Sequence, residues 1–136
     1  MRGRGRLAGT AASVSGPAQW LALAAFGALG ALARFELDRA VSGRVRGSFP
    51  LGILVVNVSG AFALGLLFGL APGSAALVLL GTGFLGAYTT FSTWMVDSER
   101  LAAERRLKLG VLNVLGSMAA GLIAAGMGLG VAAVLS

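Results

Sequence analysis

Residues 47–96 read GSFPLGILVVNVSGAFALGLLFGLAPGSAALVLLGTGFLGAYTTFSTWMV and carry no charged side chain. A helix needs about 20 apolar residues to cross a hydrocarbon core of about 30 Å. This stretch is therefore long enough for two crossings, and Ala71-Pro72-Gly73-Ser74 supplies a turn between them. Because soluble cores do not leave so long a stretch uncharged, the pattern predicts two membrane-spanning helices joined by a tight connection.

Two more uncharged stretches flank this one, at residues 7–33 and 109–136. Together they predict an all-α integral membrane protein with four transmembrane helices, at about 18–35, 50–70, 75–96 and 109–135. The composition agrees, because 57% of the 136 residues are hydrophobic and 12% are charged, against about 25% charged in an ordinary soluble domain. We expect a multi-pass protein of the cell membrane.

Residues 1–16 are rich in Arg, Gly, Ser and Ala and precede the first apolar segment. The basic start, with Ala31-Leu32-Ala33 as a small-x-small site, is also typical of a cleaved signal peptide. Because the apolar segment starts near Ala18 and three further spans follow, we interpret residues 1–16 as a disordered basic tail. Residues 17–136 then form a single four-helix transmembrane domain.

The composition excludes several classes of function. Without cysteine or histidine there is no thiolate nucleophile, disulfide framework, zinc finger, Ser-His-Asp triad or imidazole metal site. The five carboxylates all flank the spans, so we do not expect an enzyme. The net charge of +6 comes from basic residues at the ends of the spans, where lipid headgroups lie, and this favours the bilayer over nucleic acid as partner.

The basic residues also bear on topology. With four spans, both termini and the 71–74 turn share one face, which carries three arginines: Arg2, Arg4 and Arg6. The opposite face, called the basic face below, carries seven basic residues: Arg39, Arg44, Arg46, Arg100, Arg105, Arg106 and Lys108. The positive-inside rule places the basic face in the cytoplasm.

Small and polar residues recur every four positions in the second and fourth spans. The stripes are Asn57, Ala61, Gly65 and Gly69; Asn113, Ser117, Gly121 and Ala125; and Gly116, Ala120, Ala124 and Gly128. Such stripes are typical of helices that pack closely in lipid, with side-chain amides bonding across the contact. They are equally compatible with Asn and Ser donors that line a narrow polar path, and periodicity does not separate the two interpretations.

The third span contains Gly81-Thr-Gly-Phe-Leu-Gly-Ala-Tyr-Thr-Thr-Phe-Ser-Thr-Trp94, a poor sequence for the middle of a helix. With the span at about 75–96, Gly86 lies at its middle. A break there would free the carbonyls from Gly86 to Thr89, and hard oxygens of that kind suit a small cation. The alternative is an intact helix whose threonines bond back to their own carbonyls.

Phe91 and Trp94 lie three positions apart and share one helical face beside this segment. Aromatic residues at this spacing are usually packing residues. Aromatic edges carry positive quadrupole charge, however, so edges that face inward are also suited to holding an anion without a formal charge.

The third span resembles the G-F-x-G-x-x-T-T-F-S-T-F signature of the Fluc/CrcB fluoride channels. It carries Gly83-Phe-Leu-Gly86 followed by Thr89-Thr-Phe-Ser-Thr-Trp94. Val55-Val-Asn-Val-Ser-Gly60 resembles the V-N-x-x-G element of that family, and Gly27-Ala-Leu-Gly-Ala-Leu-Ala-Arg34 resembles its G-x-x-G-A-x-x-R element. In the fourth span, Asn113 and Ser117 stand where the family usually has Tyr or Asn, then Ser.

The resemblance implies an antiparallel, dual-topology dimer with two fluoride pores and a central structural Na⁺ that is not transported. Gly86 and Thr89 match the positions whose backbone carbonyls bind that sodium. The fluoride-pore residues implied are Asn57, Phe91, Thr93, Trp94 and Ser117, and Arg34 matches an arginine of the pore vestibule. The implied function is passive, fluoride-selective export from the cytoplasm, which reduces fluoride toxicity.

Two features depart from the family pattern. Trp94 stands where the second Phe is expected, which enlarges the ring and adds an N–H donor. The bias of three against seven basic residues is unusual for a chain that must insert both ways, since that bias sets orientation. It favours, as an alternative to the homodimer, a partner-dependent or non-conducting subunit of a heterodimer. A proton-coupled drug exporter would need a carboxylate in the first span, and residues 7–33 have none.

Overall fold

The computed structural model describes residues 16–70 and 73–136, and within them every regular element is a helix. Helix α1 is Pro17–Ser42 and α2 is Leu51–Gly69. The third span is composite and consists of α3 (Ser74–Ala76), the π-helix π1 (Leu77–Leu85), α4 (Gly86–Tyr88) and α5 (Ser92–Ala103). Helix α6 is Leu107–Leu135.

Four helical segments of the described residues are long and apolar enough to cross a membrane: Pro17–Ser42, Leu51–Gly69, Ser74–Ala103 and Leu107–Leu135. The prediction of an all-α protein with four spans is therefore confirmed. Residues 1–15 of the predicted tail lie outside the described residues, as do Ala71 and Pro72 of the predicted turn. Gly73, the third residue of that turn, directly precedes α3.

Helices α1 and α5 continue beyond the predicted ends of their spans. The charge pattern places those ends near residues 35 and 96, whereas α1 reaches Ser42 and α5 reaches Ala103. Charged residues mark where the hydrocarbon ends, but Glu, Arg, Leu and Ala are good helix formers and carry the helix further. Exposed ion pairs lie at these ends, Glu36 with Arg39 at 3.5 Å and Arg100 with Glu104 at 3.9 Å.

Helices α2 and α6 pack against each other through glycines. A Cβ on Gly65 would overlap the carbonyl oxygen of Ala125, and a Cβ on Gly128 would overlap that of Phe62. The two backbones therefore approach as closely as small residues allow in lipid. Gly30 of α1 lies in the same way against the Phe84 carbonyl of the third span. Gly128 of one stripe and Ala125 of the other thus both belong to the packing surface between α2 and α6.

Helical geometry within the third span is interrupted at Thr89. Gly86 has helical backbone angles (φ −63°, ψ −34°), whereas Thr89 is extended (φ −76°, ψ 155°), and helix resumes at Ser92. The Leu85 carbonyl accepts both the N–H of Thr89 at 3.0 Å and its hydroxyl at 2.9 Å. Thr89 therefore makes the back-bond expected of an intact helix although it is itself extended, and the interruption lies three residues after Gly86, not at Gly86 as predicted.

Candidate functional site

A groove of about 470 Å³ lies between α2, the third span and α6. It brings small residues of α2 and α6 together with the interrupted part of the third span. Six of the eight residues predicted for the site line it: Asn57, Gly86, Thr89, Phe91, Trp94 and Ser117. Thr93 and Arg34, the other two, are not part of this lining.

Asn57 on α2 holds the backbone of Thr90 through both ends of its amide. Its Nδ2 donates to the Thr90 carbonyl, and its Oδ1 accepts the Thr90 N–H, both at 2.9 Å. The side chain thereby supplies the partners that a continuous helix would have supplied, which matters where lipid offers none. Asn57 therefore stabilises the interruption as well as lining the groove.

Carbonyls at the interruption of the third span lose their helical donors, and those of Gly86 and Thr89 are among them. In a continuous helix, Thr90 N–H would bond to the Gly86 carbonyl and Thr93 N–H to the Thr89 carbonyl. Instead, Thr90 N–H donates to Asn57. Thr93 N–H donates to the Thr90 hydroxyl oxygen at 3.3 Å. The carbonyls at Gly86 and Thr89 are therefore among those from Gly86 to Thr89 that lose their helical donors at the interruption.

Thr90 lines the groove but was not among the residues predicted for the site from the sequence. Its side chain is buried, and its hydroxyl accepts the Thr93 N–H while donating to the Thr93 hydroxyl at 3.2 Å. A threonine that caps a helix N-terminus makes bonds of this kind, and Thr90 lies one residue before Phe91, which directly precedes α5. The sequence signal was the spacing of Thr90 and Thr93, one helical turn apart. It was missed because residues 75–96 were treated as one continuous span, without a second helix start at α5.

The aromatic pair beside the interruption is edge-to-face. The rings of Phe91 and Trp94 have centroids 5.5 Å apart and planes at 78°. Phe91 is 70% exposed, so in the single chain its ring stands open on the groove. The Trp94 indole N–H donates to the Asn113 carbonyl of α6 at 3.0 Å. The extra donor that distinguishes Trp from Phe is thus bonded within the chain.

A buried polar network joins α5 to α6 behind Trp94. Asn113, only 1% exposed, donates from Nδ2 to the Ser98 hydroxyl at 2.8 Å and accepts the Ser117 hydroxyl at 3.2 Å. Ser98 in turn donates to the Trp94 carbonyl at 2.8 Å. Asn113 was visible in the sequence as part of a four-residue stripe. Ser98 gave no signal, because nothing in the sequence marked it as facing α6.

Thr93 lies at a second cavity, of about 280 Å³, on the basic face. Polar and charged residues share this lining: Asp38, Ser42, Ser48, Asp97 and Arg100. Asp38 and Arg100 lie close enough to Asp97 to act on it electrostatically. Arg106 donates to the Ser48 hydroxyl beside this cavity. Arg34 is half-buried on α1, one helical turn before Asp38, and lines neither space.

These features define a multi-pass helical membrane protein in which a mostly apolar groove, lined by an aromatic pair and a few polar groups, adjoins an interrupted span. Residues 21–129 match the family described as CrcB-like protein, Camphor Resistance (CrcB). The chain belongs to this family, and the resemblance seen in the third span is confirmed.

Similar proteins cover most of the chain. It is 47% identical over 111 residues to the fluoride-specific ion channel FluC 2 of Mycolicibacterium paratuberculosis, an overlap of 82% of this chain and 91% of the relative. It is 42% identical over 119 residues to FluC 2 of Mycobacterium tuberculosis (strain H37Rv), an overlap of 88% of this chain and 94% of the relative. It is 45% identical over 113 residues to FluC 1 of Leifsonia xyli, covering 80% and 82%. The family is one of ion channels and not of enzymes.

Proposed function

We propose that this chain forms a passive, fluoride-selective channel that exports F⁻ from the cytoplasm. The observation that carries the proposal is the meeting of Asn57, the aromatic pair and Ser117 on one groove beside an interrupted span. The relatives described above are named fluoride-specific ion channels. Fluoride enters cells as neutral HF from acidic surroundings and ionises inside, so a selective path lets the trapped anion leave down its gradient.

The groove supplies groups that suit a partly dehydrated anion. An amide nitrogen has two hydrogens, and in the described residues only one from Asn57 Nδ2 is used, by Thr90. The second hydrogen, the edge of Phe91 and the Ser117 hydroxyl, once its hydrogen turns from Asn113 Oδ1 to the groove, would replace water in steps. Thr93 would extend this series of donors to the cavity on the basic face. That cavity would then be the vestibule of the path, and Arg34, one helical turn before Asp38, would attract anions to it. Chloride, which is larger, would be excluded by the width of the path.

A structural Na⁺ at the carbonyls of Gly86 and Thr89 is part of the proposal. The release of these two oxygens from the helical pattern supports it, because hard cations prefer oxygen ligands. The described residues contain no group of three or more acidic, His or Cys side chains that would compete for a metal. The ion would supply positive charge to the freed carbonyls and would not be transported. This gives the broken third helix a physical purpose.

The proposed assembly is an antiparallel, dual-topology dimer with the sodium on its axis. Two carbonyls per chain are too few to surround a cation, and Gly86 and Phe91 are exposed in the single chain. A second copy would double the ligands and cover both residues. A related chain would do the same in a heterodimer, and relatives are numbered FluC 1, FluC 2 and FluC 3.

Growth in fluoride tests the proposed export directly. We expect bacteria that lack their own fluoride exporter to grow in fluoride when they express this chain, and more clearly at acidic external pH, where more HF enters. The control is a Phe91→Ala variant present in the membrane in the same amount, which should protect poorly. Equal fluoride sensitivity with the wild-type chain and with an empty vector, despite membrane insertion and also when a related chain is co-expressed, would refute the proposed function.

A further inference from the structure

We infer that Ser98 and Asn113 are positioning residues for Trp94, and that they hold the indole so that its ring, and not its N–H, is presented to the groove. Neither residue was assigned to the pore. The inference concerns the one aromatic position at which this chain departs from the pattern G-F-x-G-x-x-T-T-F-S-T-F. The effect on fluoride transport that we derive from this inference rests on the proposed function. The orientation of the Trp94 indole does not.

Trp94 is tied to α6 and to its own helix at two separate points. The indole Nε1–H donates to the Asn113 carbonyl at 3.0 Å, and the Trp94 carbonyl accepts the Ser98 hydroxyl at 2.8 Å. The Asn113 side-chain amide links these two bonds, because its Nδ2 donates to the Ser98 hydroxyl at 2.8 Å. Both Ser98 and Asn113 are buried, at 6% and 1% exposure. Backbone and side chain of Trp94 are therefore fixed by the same pair of residues.

A close contact of the two helices makes this network possible. A Cβ on Gly110 would lie only 2.9 Å from the Ser98 carbonyl oxygen, so α5 and α6 approach closely one turn before Asn113. This proximity brings the indole N–H within reach of a backbone carbonyl. In a low-dielectric surrounding, a donor that found no partner would carry a large cost, so the bonded orientation is strongly preferred.

The orientation decides what Trp94 offers to an anion. With the N–H bonded to α6, the indole keeps its 78° angle to Phe91 and contributes only ring atoms to the groove lining. The competing possibility is that the N–H leaves Asn113 and binds the anion itself, which would make Trp94 a direct ligand. The two possibilities differ in the acceptor of the indole N–H, which is either the Asn113 carbonyl or the anion. This hydrogen can be observed directly by spectroscopy.

Nuclear magnetic resonance of the indole N–H separates them. The chain has two tryptophans, so a Trp20→Phe variant leaves Trp94 as the only indole signal. We expect this N–H to exchange slowly with deuterium and its resonance to stay in place when fluoride is added to the assembled protein, with chloride as control. Exchange as fast as that of the Trp20 indole, measured in a Trp94→Phe variant, or a saturable shift with fluoride alone, would overturn the inference.

Substitutions at Ser98 test the positioning role in the same assay. Ser98→Ala should speed indole exchange about tenfold, the effect of losing roughly one hydrogen bond, and Ser98→Thr should restore slow exchange because it keeps the hydroxyl. Ser92→Ala is the matched control on α5 and should leave exchange unchanged. Equal exchange in Ser98→Ala and in the wild type would refute the positioning role.

Fluoride flux supplies the functional half of the test through a double-mutant cycle. Ser98→Ala should lower flux about fivefold when residue 94 is Trp, and less than about twofold in the Trp94→Phe background, where no indole N–H needs a partner. Equal losses in both backgrounds would refute the link between the network and transport. If the wild type carried no fluoride, the proposed function would fail, and the exchange experiment would still decide the orientation of Trp94.

Discussion

Asn57 shows how one side chain connects the fold to the groove. Its amide bonds to both the N–H and the carbonyl of Thr90. The Thr90 N–H is therefore not available to the Gly86 carbonyl, which would accept it in a continuous helix. A packing residue and a pore residue are usually considered as alternatives. Here the amide of one residue maintains the interruption and also lines the groove that we propose as the pore.

Replacing Asn57 with Ala tests this dual role. The variant leaves a backbone N–H and a carbonyl of Thr90 without partners, so we expect the free energy of unfolding to fall by about 1–3 kcal/mol and fluoride flux to fall as well. Unfolding in detergent and flux in liposomes measure the two effects. Ser59→Ala, on the same helix, removes a hydroxyl that bonds to the Tyr88 hydroxyl at 2.7 Å and should cost less. A variant with unchanged stability would contradict the assigned role.

At the scale of elements, the contact of α2 with α6 depends on particular glycines and not on small residues in general. Gly128 faces the Phe62 carbonyl, whereas a Cβ on Gly130, two residues later in α6, would meet nothing within 4 Å. Both residues are glycine in the same apolar helix. Only the first is required by the contact of the two helices.

Alanine substitutions at these two glycines should therefore diverge. We expect Gly128→Ala to lower the free energy of unfolding by about 1–3 kcal/mol, because the added methyl overpacks a backbone contact. Gly130→Ala should be neutral or stabilising by up to about 1 kcal/mol, because Ala is the better helix former. Denaturant titration of the two variants in the same detergent measures the difference. Equal effects would show that the helices do not meet at Gly128.

The spans could be predicted from the sequence because charge is excluded from the hydrocarbon, and the four spans follow from that fact alone. The helix ends could not, because α1 and α5 continue through charged residues that favour helix. The hydrogen bonds between the Asn57 amide and the Thr90 backbone could not be predicted either, because they join positions 33 residues apart. The same holds for the Trp94 N–H, because its acceptor is a backbone carbonyl. Long-range contacts and backbone acceptors of this kind leave no local pattern to detect.

For the whole molecule, the exposed Gly86 and Phe91 lie where the proposed second copy would meet the chain. Within one chain, the nearest atom to a Cβ on Gly86 is the Gly81 carbonyl oxygen, at an ordinary 3.6 Å. A side chain at this position therefore has room in the monomer. Any severe effect of enlarging it has to come from the assembled state.

Gly86→Leu is accordingly a test of assembly. We expect the variant to keep its helical content while losing dimers in detergent and losing flux, because the added side chain would occupy the proposed sodium site on the proposed dimer axis. Sedimentation or cross-linking measures the dimer, and Gly126→Leu, where a Cβ would meet nothing within 4 Å, is the control. Normal dimer formation and flux in Gly86→Leu would argue against both the axis and the sodium.

Orientation in the membrane tests the composition of the dimer. The chain has no native cysteine, so single reporters at Gly47→Cys and Ser136→Cys report the two faces cleanly. With three basic residues against seven, we expect the basic face to be labelled mainly from inside when the chain is expressed alone. Labelling of one orientation alone would mean that an oppositely oriented relative is needed to complete the dimer, whereas a substantial population in each orientation would favour the homodimer.

Balancing the charges should change the result in a defined direction. Gly3→Lys and Gly5→Lys on one face, with Arg46→Gln and Lys108→Gln on the other, should move labelling toward equal populations. The same reporters measure the shift. An orientation that does not respond to these four changes would show that loop charge does not determine the insertion of this chain.

Fluoride efflux from liposomes that contain the purified chain alone tests the central claim most directly. With a potassium ionophore to balance charge, we expect rapid release of fluoride and no release of chloride, which would establish both the channel and the sufficiency of one kind of chain. Release only when a related chain is co-reconstituted would restrict the channel to a heterodimer. The absence of fluoride release in both preparations, or equal release of chloride, would contradict a fluoride-selective channel.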